Sequence, residues 1–264
     1  MKLSRKIVHG LKNPDKAFQY LLGGSKSKQK IISSFIKDYS KDLIPLSELS
    51  SFIQNDITRY YDELITNDSY KTIETSIIEN WNDLRTFGFT EARLLYVICR
   101  FFKPEIVIET GVASGLSSSM ILLGLEQNNK GHLFSIDLPF NERKLSEKEI
   151  QNRQASFPPN KREGWLVPES LQNRWTLQLG DSKILLPKLL SELGKCDLFL
   201  HDSDHSYKHM IWEFESVWPH LTSILLADDI RLNKAFDDFV GKHFCESIRI
   251  SDRFGLIVPS SKTV

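Results

Sequence analysis

The stretch Asp197–Asp229, DLFLHDSDHSYKHMIWEFESVWPHLTSILLADD, decides the fold. Leu198, Phe199 and Leu200 form a short apolar run that stops at His201-Asp202-Ser203-Asp204-His205. Ile224, Leu225, Leu226 and Ala227 form a second run, which stops at Asp228-Asp229. Between them Ile211, Phe214 and Trp218 recur at helical spacing. The link therefore reads as a crossover helix, and the two strands as parallel neighbours. Ligands of an open parallel sheet bind beyond the carboxyl ends of its strands. Both acidic tips lie at such ends, so Asp202, Asp204, His205, Asp228 and Asp229 are expected around one cleft.

Two readings of that acidic cluster stand side by side. Asp and Ser favour helix N-caps and turns, so the group can be structural. Clustered carboxylates also repel one another unless a cation sits among them, and carboxylate with water suits Mg²⁺, Ca²⁺ or Mn²⁺. A histidine three residues past a metal-binding aspartate can then act as a general base, because its unperturbed pKa of about 6.5 lies near working pH.

Outward from this stretch the same grammar repeats. Ile106-Val-Ile-Glu109 reads as a first strand, followed by Thr110-Gly-Val-Ala-Ser-Gly115 and a helix through Met120 and Leu125. Strand, glycine loop and helix form a nucleotide cradle: Gly111 permits the tight turn, Gly115 lets the helix approach the sheet, and the helix N-terminus attracts an anion. Leu133-Phe-Ser-Ile-Asp137 supplies the next strand. Its terminal acid lies roughly twenty residues past the loop, where a carboxylate meets ribose hydroxyls, although a turn residue before Pro139 would look the same. Trp175–Leu179 is a further strand with the tip Gly180-Asp181-Ser182, and Leu185, Leu189 and Leu193 mark the helix after it. A helix is expected over Ala235 to Phe244, then a hairpin of Ile248/Ile250 and Leu256–Val258.

Two regions fall outside that rhythm. Residues 1–89 read as helices without strands and carry no chemistry of their own. They are expected to form a separate extension, with residues 90–264 as the main domain, and to offer a surface for self-association. Residues 138–174 exceed an ordinary connection and can act as a lid, in which Trp165 and Arg162 either meet substrate or serve as packing and solvated charge. Ser146 and Glu149 make a capping box there.

Composition narrows the classes. The chain has 264 residues, 41% hydrophobic and 26% charged, with 34 Lys+Arg against 34 Asp+Glu. No global field points to nucleic acid. Residues 1–44 carry ten basic residues against three acidic ones, a front that either steers an anionic partner or is a solvated helical face. Three isolated cysteines, Cys99, Cys196 and Cys245, suit a reducing compartment, and no run reaches the roughly 18 apolar residues of a membrane span. The expectation is a cytoplasmic protein without a transmembrane segment.

Read whole, the order of five α/β units and a terminal hairpin resembles the class I methyltransferases that use S-adenosyl-L-methionine (AdoMet). Those enzymes have a Rossmann-like, doubly wound seven-stranded sheet whose last strand is antiparallel, and the resemblance covers about residues 90–260. It implies AdoMet as cofactor, held by Glu109, Gly111, Ser114, Gly115, Asp137, Asp181 and Ser182. Ala113 stands where many members carry another glycine. His201–His205 and Ala227–Asp229 are similar to the metal-dependent sugar and macrolide O-methyltransferases (macrocin and mycinamicin type) and to cephalosporin-hydroxylase-type proteins. That similarity implies Mg²⁺ held by Asp202, Asp228 and Asp229, His205 as the base, and a small-molecule hydroxyl acceptor, a saccharide among the candidates. Asp228 stands where such relatives often carry Glu. The competing readings are a non-catalytic AdoMet- or nucleotide-binding subunit and a Rossmann dehydrogenase. The Gly111-x-x-x-Gly115 spacing and the terminal hairpin disfavour the second.

Overall fold

The computed structural model describes residues 59–79, 89–139, 161–250 and 253–259. The expected helices before residue 59, residues 80–88 and the 140–160 stretch with its capping box lie outside the described residues. The chain divides into two units, Met1–Arg59 and Tyr60–Val264, and every element named here belongs to the second.

In order, the elements are helices α1 (Asp68–Glu79) and α2 (Phe89–Phe102), strand β1 (Ile106–Thr110), α3 (Leu116–Gln127) and β2 (His132–Asp137). A 3₁₀ turn over Glu169–Arg174 leads into β3 (Trp175–Leu179), α4 (Ser182–Leu193) and β4 (Cys196–His201). Then come α5 (Tyr207–Val217), β5 (Leu221–Ala227), α6 (Ala235–His243), β6 (Glu246–Arg249) and β7 (Gly255–Val258).

One seven-stranded sheet results, in the order β3-β2-β1-β4-β5-β7-β6. The first five strands are parallel, and β7 runs antiparallel to both β5 and β6. The expected Rossmann-like fold with an antiparallel last strand is therefore present. The strand order reverses between β1 and β4, so a crevice opens at their carboxyl ends, where such sheets take ligands.

The apolar runs are continuous rather than alternating because helices cover both faces of the central strands. Leu198, Phe199, Leu200 and Ile224 through Ala227 are wholly buried. Met210, Phe214 and Val217 of α5 and Phe236 and Phe239 of α6 pack with Phe199 and Leu225 on one face. Each such side chain is worth about 1.5–3 kcal/mol of burial. Every residue of α3 from Leu116 to Leu125 is buried, its serines included, since α2 covers it on the outside.

Residues 60–79 are tied to α2 by charge. Arg93, only 2% exposed, donates to the Tyr61 hydroxyl at 3.1 Å, to the Tyr70 hydroxyl and to Glu74 at 3.3 Å. Arg100 forks onto Glu63 with bonds of 2.7 and 3.0 Å. All three cysteines are buried and free.

Candidate active site

The glycine loop sits where β1 ends. Gly111 has φ +86°, and a Cβ there would lie 1.9 Å from the Asp202 carbonyl oxygen, so no other residue fits. That close approach joins the first and fourth strand tips, and the Asp202 N–H donates to the Thr110 carbonyl at 2.8 Å. Gly115, also at φ +86°, is the N-cap of α3. Between them Ala113 is left-handed at φ 45°, a conformation that costs an L-residue roughly 1–2 kcal/mol. A glycine would avoid that cost, which is the physical content of the alanine-for-glycine exchange. The Ala113 N–H donates to Asp137 Oδ2 at 3.1 Å. Asp137 is 3% exposed and braces the loop from β2, rather than standing as an open surface tip.

Other expected cofactor residues are placed differently from one another. Glu109 is wholly buried and accepts hydroxyl hydrogen bonds from Ser117, Ser118 and Ser135. Its carboxyl is therefore turned into the base of α3. Burial pushes its pKa up to about 7 against the pull of the three hydroxyls, and Asp137 adds to the push. Asp181 caps α4, with Oδ1 accepting from the Lys183 N–H at 2.9 Å. Ser182 is buried, its Oγ 3.2 Å from His209 Nε2. Ser114 is buried in the loop, and its carbonyl accepts from the Leu166 N–H at 2.9 Å.

That last contact shows what the end of the long connection does. The Gly164 N–H donates to the Ala113 carbonyl at 2.9 Å, so residues 164–166 latch onto the glycine loop through two backbone bonds. Trp165 lies within the latch, with Lys161 Nζ 5.2 Å over its ring and a buried indole N–H that has no hydrogen-bond partner. Arg162 is exposed.

Strand register explains the acidic tips. His201 pairs with Thr110 on one side and with Ala227 on the other. Asp202 and Asp228 are each one residue past those pairs, hence neighbours. Donor atoms of Asp202, His205 and Asp228 all lie within 4.8 Å of one another. His205 Nε2 is 3.5 Å from Asp202 Oδ1, and Asn233 pins the His205 carbonyl at 2.8 Å. Asp229 occupies a left-handed conformation at φ 49°. Asp204 is spent on the turn into α5, accepting from the Ser206 N–H at 2.9 Å.

Arg253, unmarked in the sequence reading, reaches this cluster from the turn between β6 and β7. Its Nε and Nη2 donate to the two oxygens of Asp228 at 2.8 and 2.5 Å. Nε also lies 3.1 Å from Asp229 Oδ1, but its single hydrogen serves Asp228, and Asp229 Oδ1 is left buried without a hydrogen bond. His205 Nε2 is likewise buried and unbonded. Burial raises the Asp202 pKa well above the usual carboxylate range, with the Asp228 charge adding to it. Burial works against the charged form of His205, yet the contact with Asp202 and the charges of Asp229 and Asp228 raise its pKa on balance. Two polar atoms without partners and carboxylates crowded against one another are what a hard divalent cation satisfies, so the donor set fits one. The glycine loop, the α3 N-terminus and Asp137 fit an adenosyl cofactor equally well.

A second feature escaped the sequence reading. Glu213 of α5 is wholly buried and accepts from Thr110 Oγ1 at 2.7 Å and Ser203 Oγ at 3.0 Å. It also meets His201 Nδ1 at 2.6 Å and His209 Nε2 at 2.9 Å. Burial alone would raise its pKa, but the two histidines hold it far below the carboxylate range. The network bolts the tips of β1 and β4 to α5 beneath the cleft. Its helical spacing, His209 to Glu213, was visible, but nothing in the sequence said that the pair faces inward.

Residues 108–230 match the family model described as a methyltransferase domain. The span runs from β1 to just past the acid pair and so contains the loop and every acidic tip. Among solved structures, the chain is similar to the O-methyltransferase from Bacillus cereus in complex with SAH. The TM-score is 0.52 at 13% identity, over 77% of this chain and 96% of that one. It is also similar to the O-methyltransferase TomG from Streptomyces achromogenes, involved in tomaymycin synthesis and solved with SAM. There the TM-score is 0.50 at 15% identity, over 77% of this chain and 98% of that one. At such identities the likeness is one of fold. No sequence match was found among curated proteins. Family model and fold point the same way: residues 108–230 match a methyltransferase domain, on a fold shared with solved O-methyltransferases.

Proposed function

We propose that the protein methylates a hydroxyl of a small molecule, at a site where Asp202, Asp228 and Asp229 hold a divalent ion and His205 takes the proton. A sugar, glycoside or related diol-bearing acceptor suits such a site, as in the macrocin-type enzymes. The observation that carries the reading is the contact of Gly111 with the Asp202 carbonyl, because it puts the cofactor loop and the acidic tips on one edge. Gly111, Ser114, Gly115, Asp137, Asp181 and Ser182 shape the cofactor side. Glu109 acts there by positioning the base of α3, since both its oxygens are committed to serines.

The cofactor supplies an electrophilic methyl, and the divalent ion makes the acceptor hydroxyl more acidic. The chain's own residues do the rest. The acidic tips would hold the ion, and with it the acceptor oxygen, beside the glycine loop that would hold the cofactor; transfer needs the reacting atoms within about 3–3.5 Å. His205 Nε2, buried, without a hydrogen bond and 3.5 Å from Asp202 Oδ1, would take the acceptor's hydroxyl proton as the methyl moved from sulfur to oxygen. Residues 164–166 hold the glycine loop in place through their two backbone bonds to it.

The test is transfer of a labelled methyl to a panel of glycosides, catechols and phenols, with Mg²⁺ and after rigorous chelation. Transfer that needs Mg²⁺ is expected. Transfer undiminished by chelation would return the acidic tips to a structural role. AdoMet binding with no transfer to any acceptor would favour the non-catalytic subunit.

A further inference from the structure

We propose that Arg253 is a resident counter-cation that competes with the divalent ion for Asp228 and Asp229, and so sets how tightly the site holds its metal. This rests on the metal reading above. Asp228 is wholly buried, and a buried carboxylate without a positive partner costs several kcal/mol. Arg253 meets that need with a two-pronged fork, the geometry in which a guanidinium binds carboxylate best. Its Nε approaches Asp229 as well, so one side chain covers the pair that would otherwise be ligands.

The placement suits a cation that can leave. The Arg253 backbone is fixed, its carbonyl accepting from the Ile230 N–H at 2.9 Å, and next to it Phe254 is wholly buried. The guanidinium rides on a long side chain that is 27% exposed, so it can swing outward while the turn stays put. A divalent ion between Asp202 and Asp228 would face a positive charge a few ångströms away. Coulomb repulsion at that range weakens binding by tenfold or more, on the order of 1.4 kcal/mol even at the high effective dielectric of a protein surface. The reverse also holds. With the ion absent, Arg253 lets the acid pair fold and persist.

The experiment is Mn²⁺ binding by electron paramagnetic resonance, with thermal unfolding in EDTA and in Mn²⁺, on wild type, Arg253→Gln and Arg253→Lys. Expected is a wild type whose unfolding temperature barely changes on chelation. Arg253→Gln should bind Mn²⁺ roughly tenfold or more tightly, and its unfolding temperature should drop in EDTA and recover in Mn²⁺. Arg253→Lys keeps a charge and should stay near wild type in affinity. Equal or weaker Mn²⁺ binding by Arg253→Gln would overturn the inference while leaving the metal reading intact. No Mn²⁺ binding by wild type or either variant would overturn both. Mn²⁺ binding by Arg253→Gln alone would support the competition and show that the native site works without a metal. Should Arg253→Gln not fold, the wild-type Arg253 Nε–H resonance decides. Saturating Mg²⁺ should abolish its carboxylate-bound shift, and an unchanged signal would overturn the proposal.

Discussion

His205 and Asp202 show how much chemistry turns on single side chains. They lie three residues apart where β4 gives way to α5, both face the cleft, and their nearest polar atoms are 3.5 Å apart. If His205 is the base and the carboxylates are the ligands, the two roles separate on substitution. His205→Ala should keep AdoMet and Mn²⁺ affinity but lose turnover by a factor of roughly 10² to 10⁴. The residual rate should climb with pH as the acceptor ionises unaided. Rescue of that variant by excess metal would instead make the histidine a ligand, the arrangement that the mutual closeness of Asp202, His205 and Asp228 also permits.

At the scale of elements, Glu109 joins the end of β1 to the first turn of α3 through Ser117 and Ser118, and to β2 through Ser135. Its carboxyl is pushed up to about 7 from an ordinary value of 4.5, so the fold prefers the protonated form. The sign follows from that. Its contribution to stability is full below the unfolded value and is lost as pH rises from 4.5 towards about 7. Urea unfolding at pH 5 and pH 8 should show wild type losing on the order of 2–3 kcal/mol relative to Glu109→Gln, whose amide does not titrate. A constant difference between the two proteins would mean that the serines keep Glu109 ionised throughout. AdoMet affinity should change little in Glu109→Gln, because the side chain is buried behind the loop.

At the scale of the molecule, a cofactor bound at the carboxyl ends of β1 and β2 should act as a clamp, since the glycine loop, Asp137 and the 164–166 latch come from separate segments of the chain. AdoMet or its demethylated product at about a hundred times Kd should stabilise the fold by about 2.7 kcal/mol, a rise of roughly 5–11 °C in Tm. NADH should give none. A shift with NADH and not with AdoMet would assign the crevice to a dinucleotide. No helix among the described residues is long and apolar enough to cross a membrane.

The sequence by itself determined the strands, the crossover helices and the acidic tips, because burial on both faces of a parallel sheet writes itself as short apolar runs ending in polar residues. It also marked the glycine loop, since the left-handed turn at Gly111 and the clash awaiting any Cβ there leave no other choice. Tertiary structure alone decided what each polar group faces. The Glu109 carboxyl is turned inward onto serines, and one oxygen of Asp181 caps the helix after β3. Glu213 carries no motif in the sequence, yet it is wholly buried beneath the strand tips. Arg253 lies 24 residues past Asp229 and carries no motif, and only the antiparallel return of β7 beside β5 brings it onto the acid pair. Periodicity reports which side of an element is buried; ion pairs depend on which elements meet, and that is set by the sheet order.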